Sequence, residues 1–500
     1  MKRRPLAVTI AAAACALSAC GTQLSHDRIV ADYNGGGARG AAAGTAPDGT
    51  GAVPTQAVGA APTVAGPTTG TGPVTAPTAG AVTGGQPVAV PPAGSVTGAP
   101  PAGASTAPTS TRAGGPAPTA GRSGAATAAC TTSGAPVVLG QVGTFSGVVG
   151  AVFSQAKTAL AIWANDINSR GGLACHPVRV VSKDDGGSPA NANSAVQDLV
   201  KNDHAIAIVG SMVATTVSGL QQGIDQTGVP AVGGDAANPI WTTDPLFRVE
   251  GGTFDPSLLG MAHLAALASK PKIGLLYCIE AAICSQSGPI LTKGAPEVGA
   301  QIVYSASVSI TQPSFTAQCQ SAKNAGAQSL ILGLDSSGVQ RLARDCVALD
   351  YHPLLITTAT ALNGPSIADD PNLQGMQTTS RVAPWMQTDT PGGAAFLAAV
   401  QRYAPTLAVD EAGAEGWASA KLLEAAVNAL GASARGDLTP ALIIKGLGLV
   451  KNETLGGLSP AITFTAGKAS PENPCYYIEV LTNKAWTAPQ GSTKICGPAS

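Results

Sequence analysis

The sequence predicts an α/β protein with two doubly wound parallel-sheet lobes behind a disordered linker. Three observations lead there. From about residue 130 onwards, short apolar runs alternate with runs of helical spacing, which is the pattern of βαβ units and parallel sheets. That rhythm breaks once and restarts, so it describes two sheets. Ahead of it lies a long stretch of small residues and proline with almost nothing to bury.

The chain opens MKRRPLAVTIAAAACALSAC. Lys2, Arg3 and Arg4 make a basic start and Pro5 to Leu17 a short apolar run, the form of a secretory signal too short to stay as a membrane span. Leu17-Ser18-Ala19-Cys20 resembles the bacterial lipobox. The resemblance implies cleavage after residue 19, so that 1–19 is the signal peptide. It also implies a lipid on the Cys20 thiol, which would tether the chain to the extracytoplasmic face of the cell membrane.

Residues 20–129 read as linker. Between Gly35 and Thr127 there are four charged residues (Arg39, Asp48, Arg112, Arg122), no aromatic, no Leu and no Ile. Such a segment cannot bury enough apolar surface to offset its conformational entropy. A flexible chain of this length reaches roughly 50–60 Å, which suits a spacer through a cell-wall layer. A linker of unselected length fits equally.

Formal net charge is −1, only 11% of residues are charged, and the folded part has no run of Lys or Arg. This excludes a nucleic-acid footprint. Of ten cysteines, Cys15 leaves with the signal and Cys20 carries the lipid. The remaining eight read as disulfides in an exported chain. Eight cysteines allow about a hundred pairings. Neighbour pairing is favoured, because each pair then falls inside one supersecondary unit: Cys130–Cys175, Cys278–Cys284, Cys319–Cys346 and Cys475–Cys496. No CxxC occurs and the five histidines are scattered, so no metal is expected.

In the folded part, Pro136–Leu139 is the first strand. Ala156, Ala159, Leu160, Trp163 and Ile167 then recur at helical spacing up to a stop at Gly171. His176–Ser182 is the second strand. Ser188 is a good N-cap and Pro189 suits a first helical turn, with Ala192, Val196 and Leu199 as the buried stripe. Ala205–Val209 is apolar throughout, as a strand covered on both faces should be. A helix over 215–226 and a strand Val229–Val232 complete the first run. Lys272–Tyr277, Gln301–Ser307, Ser329–Leu334 and Leu354–Thr357 are the strands of the second. In doubly wound sheets ligands sit beyond the carboxyl ends of the strands. That selects the loops GTFSG, KDDGG, GSMVATT and GGDAANPIW in one lobe, and YCIEAA, LDSSG and TTATALN in the other.

These loops carry a resemblance. GQVGTFSGVVG, INSRGGLACHPVRVV, KDDGGSPANANSAVQDLVKND, AIVGSMVATT, GVPAVGGDAANP, EGWASAKLLEAAVNAL and FTAGKASPENPCYYIEVLTNKAW are together similar to the type I periplasmic binding proteins. The likeness is greatest to the leucine/isoleucine/valine-binding group that serves ABC importers. It spans about 134–490. It implies two lobes joined by three crossovers, the first from 134–250 and 384–446, the second from 251–383 and 447–500, closing on a ligand by hinge motion. It implies a partner permease and a small solute, an amino acid, amide or related metabolite, with no cofactor and no reaction of its own.

In the amino-acid-binding relatives, hydroxyls and backbone N–H groups after the third and fourth strands hold the ligand carboxylate. Here those loops supply Ser211, Ala214 and Thr215, then Asp235, Ala236, Ala237 and Asn238. Ala237 stands where relatives often carry Thr or Ser. The acid that pairs a ligand ammonium falls near Ala359, where there is none, and Asp235 or Glu280 would have to compensate. An Asp235 bonded to its own turn is an equal reading. Phe145 and Ser146 in the glycine-rich turn, and Asp335 in LDSSG, complete the candidate contacts. Phe145, Phe153, Trp241 and Tyr277 are the cleft-loop aromatics, a type more often core than contact. Asp184-Asp185 is expected to cap the following helix. GQVGTFSG lacks the Lys-Ser/Thr of a P-loop, so it is expected to approach a small solute, not a nucleotide. Two other functions fit the pattern less well. One is a sensory ectodomain that signals to a membrane kinase. The other is a hydrolase using Ser146 or Ser211.

Overall fold

The computed structural model describes residues 130, 133–147, 150–362 and 365–497. The signal, Cys20 and the whole of the linker lie outside them. Two sheets organise the described residues.

The first sheet takes β1 (Val137–Gly143), β2 (Val178–Asp184), β3 (Ala205–Ser211), β4 (Ala231–Gly234) and β5 (Phe247–Arg248) in the order β2-β1-β3-β4-β5. All pairings are parallel. Helices α1 (Gly150–Ser169), α2 (Pro189–Lys201), α3 (Val217–Thr227) and the short α4 (Ile240–Thr243) connect them. Each of β1 to β4 runs past its expected end, because glycines and polar residues continue the ladder to the sheet's carboxyl edge. The anticipated stripe of α1, including Leu160, Trp163 and Ile167, is buried. Ser188 caps α2 by accepting the Asn191 N–H, with Pro189 in the first turn. Helices α2 and α3 approach so closely that a Cβ on Gly219 would lie 1.8 Å from the Pro189 carbonyl oxygen.

The second lobe repeats the order. Strands β6 (Lys272–Cys278), β7 (Gln301–Val308), β8 (Ser329–Gly333), β9 (Leu354–Thr358) and β10 (Gln377–Ser380) lie as β7-β6-β8-β9-β10, again parallel. Antiparallel β11 (Cys475–Thr482) adds to β10 and pairs β12 (Ala485–Thr487) and β13 (Ile495–Cys496). Helices α5 (Phe254–Leu267), α6 (Ala282–Gly294), α7 (Thr316–Asn324), α8 (Ser336–Val347) and the short α9 (Pro365–Asp369) belong to this lobe.

After β10 the chain returns to the first lobe as α10 (Pro391–Tyr403), α11 (Glu411–Ala429) and α12 (Pro440–Leu449). Helix α11 packs along α1 and against β3 and β4. It is buried on nearly every side, with Trp417 1% exposed. The chain crosses between lobes after β5, after β10 and before β11. The expected third boundary at 447 falls too early. Val450, Leu455, Leu458, Ile462 and Phe464 pack into the first lobe's core, so the crossover follows them.

Four disulfides close in neighbour order. Cys130–Cys175 ties the start of the fold to the turn before β2, and Cys278–Cys284 ties β6 to α6. Cys319–Cys346 joins α7 to α8, and Cys475–Cys496 joins β11 to β13.

Candidate functional site

A cavity of about 220 Å³ opens where the carboxyl ends of both sheets face one another. Its first-lobe wall comes from Val152 and Phe153 at the start of α1, Ala214 and Thr215 after β3, and Asp235 and Ala237 after β4. The cavity runs deeper into the second lobe, between the sheet and helices α5 and α6. Leu275 and Tyr277 of β6, Ile331 and Gly333 of β8, Thr358 of β9 and Thr379 of β10 face it. Their two-residue spacing puts them on one face of that sheet. Ser257, Leu258 and Met261 face it from α5 and Ile283, Ser287 and Leu291 from α6, at the three- and four-residue steps of one helix face. The gap between layers stays open because Ser257, Ser287, Gly333, Thr358 and Thr379 are small. Its wall is largely apolar.

Asp235 governs the first-lobe end. It is 5% exposed. Its carboxylate accepts the backbone N–H of Val213, of Ala237 at 3.2 Å, and of Ala214. Burial pushes its pKa up to about 6, against the pull of those donors and of Arg381. The N–H groups expected to hold a ligand carboxylate therefore already hold a side-chain carboxylate. Asp235 is bonded to its own loops, as one reading expected, and it also lines the cavity.

Sequence reasoning missed Arg381, which follows β10 and is also in the cavity wall. Its guanidinium donates to the Gly234 carbonyl at 2.8 Å, to Gly252, and to the carboxylates of Glu250 and Glu415. Glu250 sits on the first crossover, Arg381 on the second, and Glu415 on α11. Burial alone would lower the Arg381 pKa, but Glu415, Glu250 and Asp235 more than offset it and keep the group charged. Acids outnumber bases around it. Burial pushes Glu415 and Glu479 up to about 8 and Asp410 up to about 7. Burial, then Glu479 and Glu415, raises Glu411. No local motif announces this cluster, since its members are far apart in the chain. The only hint was Glu and Asp within the otherwise apolar DEAGAEGWASA.

Of the expected contacts, Ala214, Thr215, Asp235, Ala237 and Asp335 line the cavity, as do Phe153 and Tyr277. Asp335 also caps α8, accepting the Gly338 N–H at 3.2 Å. The others stand elsewhere. Glu280 is exposed, lies outside the cavity wall and accepts from Ser309 and from the Ile310 N–H, so it ties its loop to the one after β7. Ala359 is fully buried in the first lobe's core cluster, while its neighbours Thr358 and Thr360 reach the cavity. Asn238 donates to the Ala214 carbonyl at 3.4 Å. Phe145 lies under the Lys157 ammonium, 5.7 Å from the ring centre. Ser146 is exposed and bonds Asp184. The Ser211 hydroxyl is buried without a hydrogen-bond partner, so it lacks the adjacent base a nucleophile needs. Trp241 is core, edge-on to Phe247.

The start of GQVGTFSG is strand, not turn: Gly140 lies within β1 and serves packing. A Cβ on Gly140 would lie 2.7 Å from Ile208 and 2.9 Å from Leu199. The Asp184-Asp185 pair ties loops instead of capping α2. Asp185 accepts the Thr144 hydroxyl at 2.7 Å and the Thr216 hydroxyl at 2.6 Å, and Asp184 accepts the Phe145 N–H. Among the described residues no group of His, Cys, Asp and Glu is arranged to hold a metal.

Twin parallel-sheet lobes, three crossovers and a cavity between the facing strand ends define a two-lobed solute-binding protein. Comparison then gives the family: the periplasmic binding protein model matches residues 136–485, and the chain belongs to that family. The fold is shared with solved structures. One is a fatty acid ABC transporter substrate-binding protein from Thermomonospora curvata: TM-score 0.63, 17% identity, 74% of this chain and 95% of that one covered. Another is a leucine-binding protein from Thermotoga maritima: TM-score 0.60, 14% identity, 72% and 99% covered. A third is an ABC transporter solute-binding protein from R. palustris in complex with benzoate: TM-score 0.59, 15% identity, 73% and 98% covered. An amino acid binding protein of Pseudomonas aeruginosa is 26% identical over 117 residues, and the match spans 31% of that relative's length.

Proposed function

We propose that this protein is the lipid-anchored, extracytoplasmic receptor of an ABC importer, and that it takes a small organic solute into the interlobe cavity and presents it to a membrane permease. The observation that carries this reading is the cavity itself, walled by both lobes at the carboxyl ends of both sheets, where doubly wound folds bind ligands. The family match and the ABC transporter proteins that share the fold support it. The basic start, the short apolar run and the Leu17-Ser18-Ala19-Cys20 motif support an extracytoplasmic location and a lipid on Cys20. Amino acids and amides are the solutes the family resemblance suggests.

A thermal-shift screen of the purified protein against amino acids, amides, aromatic acids, alcohols and amines tests the receptor reading. A bound solute at 100 times its Kd should add about 2.7 kcal/mol of stability. No shift from any class would overturn it. For the anchor, Cys20→Ala should move the protein from the membrane fraction to the soluble one.

A further inference from the structure

The cavity differs from an amino-acid site in a way that names its solute. We infer that the solute is a mainly apolar molecule of roughly nine carbon atoms, whose polar end is a hydroxyl or ammonium donor and not a carboxylate. The inference rests on the receptor reading and deepens it.

The size follows from volume. A dry apolar cavity of about 150 Å³ takes benzene; scaling to 220 Å³ gives room for roughly nine carbons. The apolar character follows from the walls. Leu258, Met261, Leu275, Ile283, Leu291 and Ile331 surround the deep end, and all are nearly fully buried. Removing a hydrocarbon from water into such a slot is favoured by about 25 cal/mol per Å². A zwitterion there would lose its hydration without partners. Several polar groups of the walls are already committed. Thr357 donates to the Leu332 carbonyl at 2.6 Å, Ser287 to the Ile283 carbonyl at 2.9 Å, and Ser257 to the Thr379 hydroxyl at 3.2 Å.

The nature of the polar end follows from charge. Among the described residues that line the cavity, Arg381 is the one cation. It is bound by Glu250, Glu415 and the Gly234 carbonyl. Facing it, Asp235 occupies the backbone donors after β3 and β4. A solute carboxylate would meet Asp235 with Glu250 and Glu415 behind it, and would find those N–H groups taken. A donor meets an acceptor instead. Asp235 thus supplies from the protein the carboxylate that an amino acid would bring.

Calorimetric titration with 1-nonanol, nonylamine, nonanoate and leucine tests this. The first two should bind, at least tenfold more tightly than either nonanoate or leucine. Ser287→Phe, which fills the slot from a half-buried helix position, should weaken nonanol at least tenfold while the melting temperature stays near that of the parent. Asp235→Asn should narrow the gap between nonanol and nonanoate. Nonanoate or leucine binding as tightly as nonanol would overturn the inference and leave the receptor reading standing. Failure of both nonanol and nonylamine would overturn it too, while a shift from another class in the wider screen would keep the receptor reading.

Discussion

Arg381, on the second crossover, forms an ion pair with Glu415 of helix α11, and the two side chains are 5% and 1% exposed. The same guanidinium reaches Glu250 on the first crossover at 3.4 Å. One cation therefore joins two of the three strands of chain that link the lobes. Taking ionised groups out of water is costly, so the pair is not in itself a large source of stability, but losing one partner strands the others.

Arg381→Met leaves Glu250, Glu415 and Asp235 buried together without their cation. It should cost about 3–5 kcal/mol, read as a lower denaturant midpoint. Glu415→Gln keeps the shape and one acceptor and should cost less.

Stability should fall as pH rises. Asp410, Glu415 and Glu479 have folded-state pKa values raised to about 7, 8 and 8 by burial. A carboxyl that binds its proton more tightly when folded stabilises the fold at low pH and loses that contribution as pH climbs from its unfolded value through its folded one. Glu411, raised in the same cluster, acts in the same direction. Melting temperature should therefore decline between about pH 5 and pH 8.5. A rise over that window would contradict the buried-acid cluster.

Burial raises the Asp235 pKa to about 6, with the Arg381 cation and the titratable Glu250 and Glu415 as its neighbours. Protonation removes its charge. Nonylamine should bind about tenfold more weakly at pH 5 than at pH 7.5, whereas nonanol should change little. Equal dependence for both would place the effect elsewhere than at Asp235.

The Cys319–Cys346 bridge joins α7 to α8 across a separation of 27 residues. Replacing both cysteines by alanine should destabilise the protein by about 3–4 kcal/mol through the freed unfolded chain, as judged by urea unfolding.

What the sequence disclosed was the part that rests on local pattern. Apolar runs such as Ala205–Val209 and the cap at Ser188 with Pro189 mark elements that stand where expected. The cysteines pair in chain order because each bridge staples adjacent elements. The site was less legible. Thr215 and Asp235 were visible because they follow strands. Arg381 was not, because it lies 131 residues from Glu250 in a stretch with no motif. The slot in the second lobe was hidden for a similar reason: Ser257, Ser287 and Thr379 mark a gap only once α5, α6 and β10 are layered. The late boundary before β11 arises from tertiary packing, since Leu458 and Phe464 belong to a core made elsewhere in the chain.

Closure of the two lobes on a solute is the claim beneath all of this. Ser154 on α1 and Gln286 on α6 are exposed and belong to the helices that flank the cavity. Spin labels on Ser154→Cys and Gln286→Cys report the distance across the cleft by pulsed electron resonance. With the solute that gives the largest melting shift, that distance should shorten and its distribution narrow. A distance distribution identical with and without every stabilising solute would contradict the account.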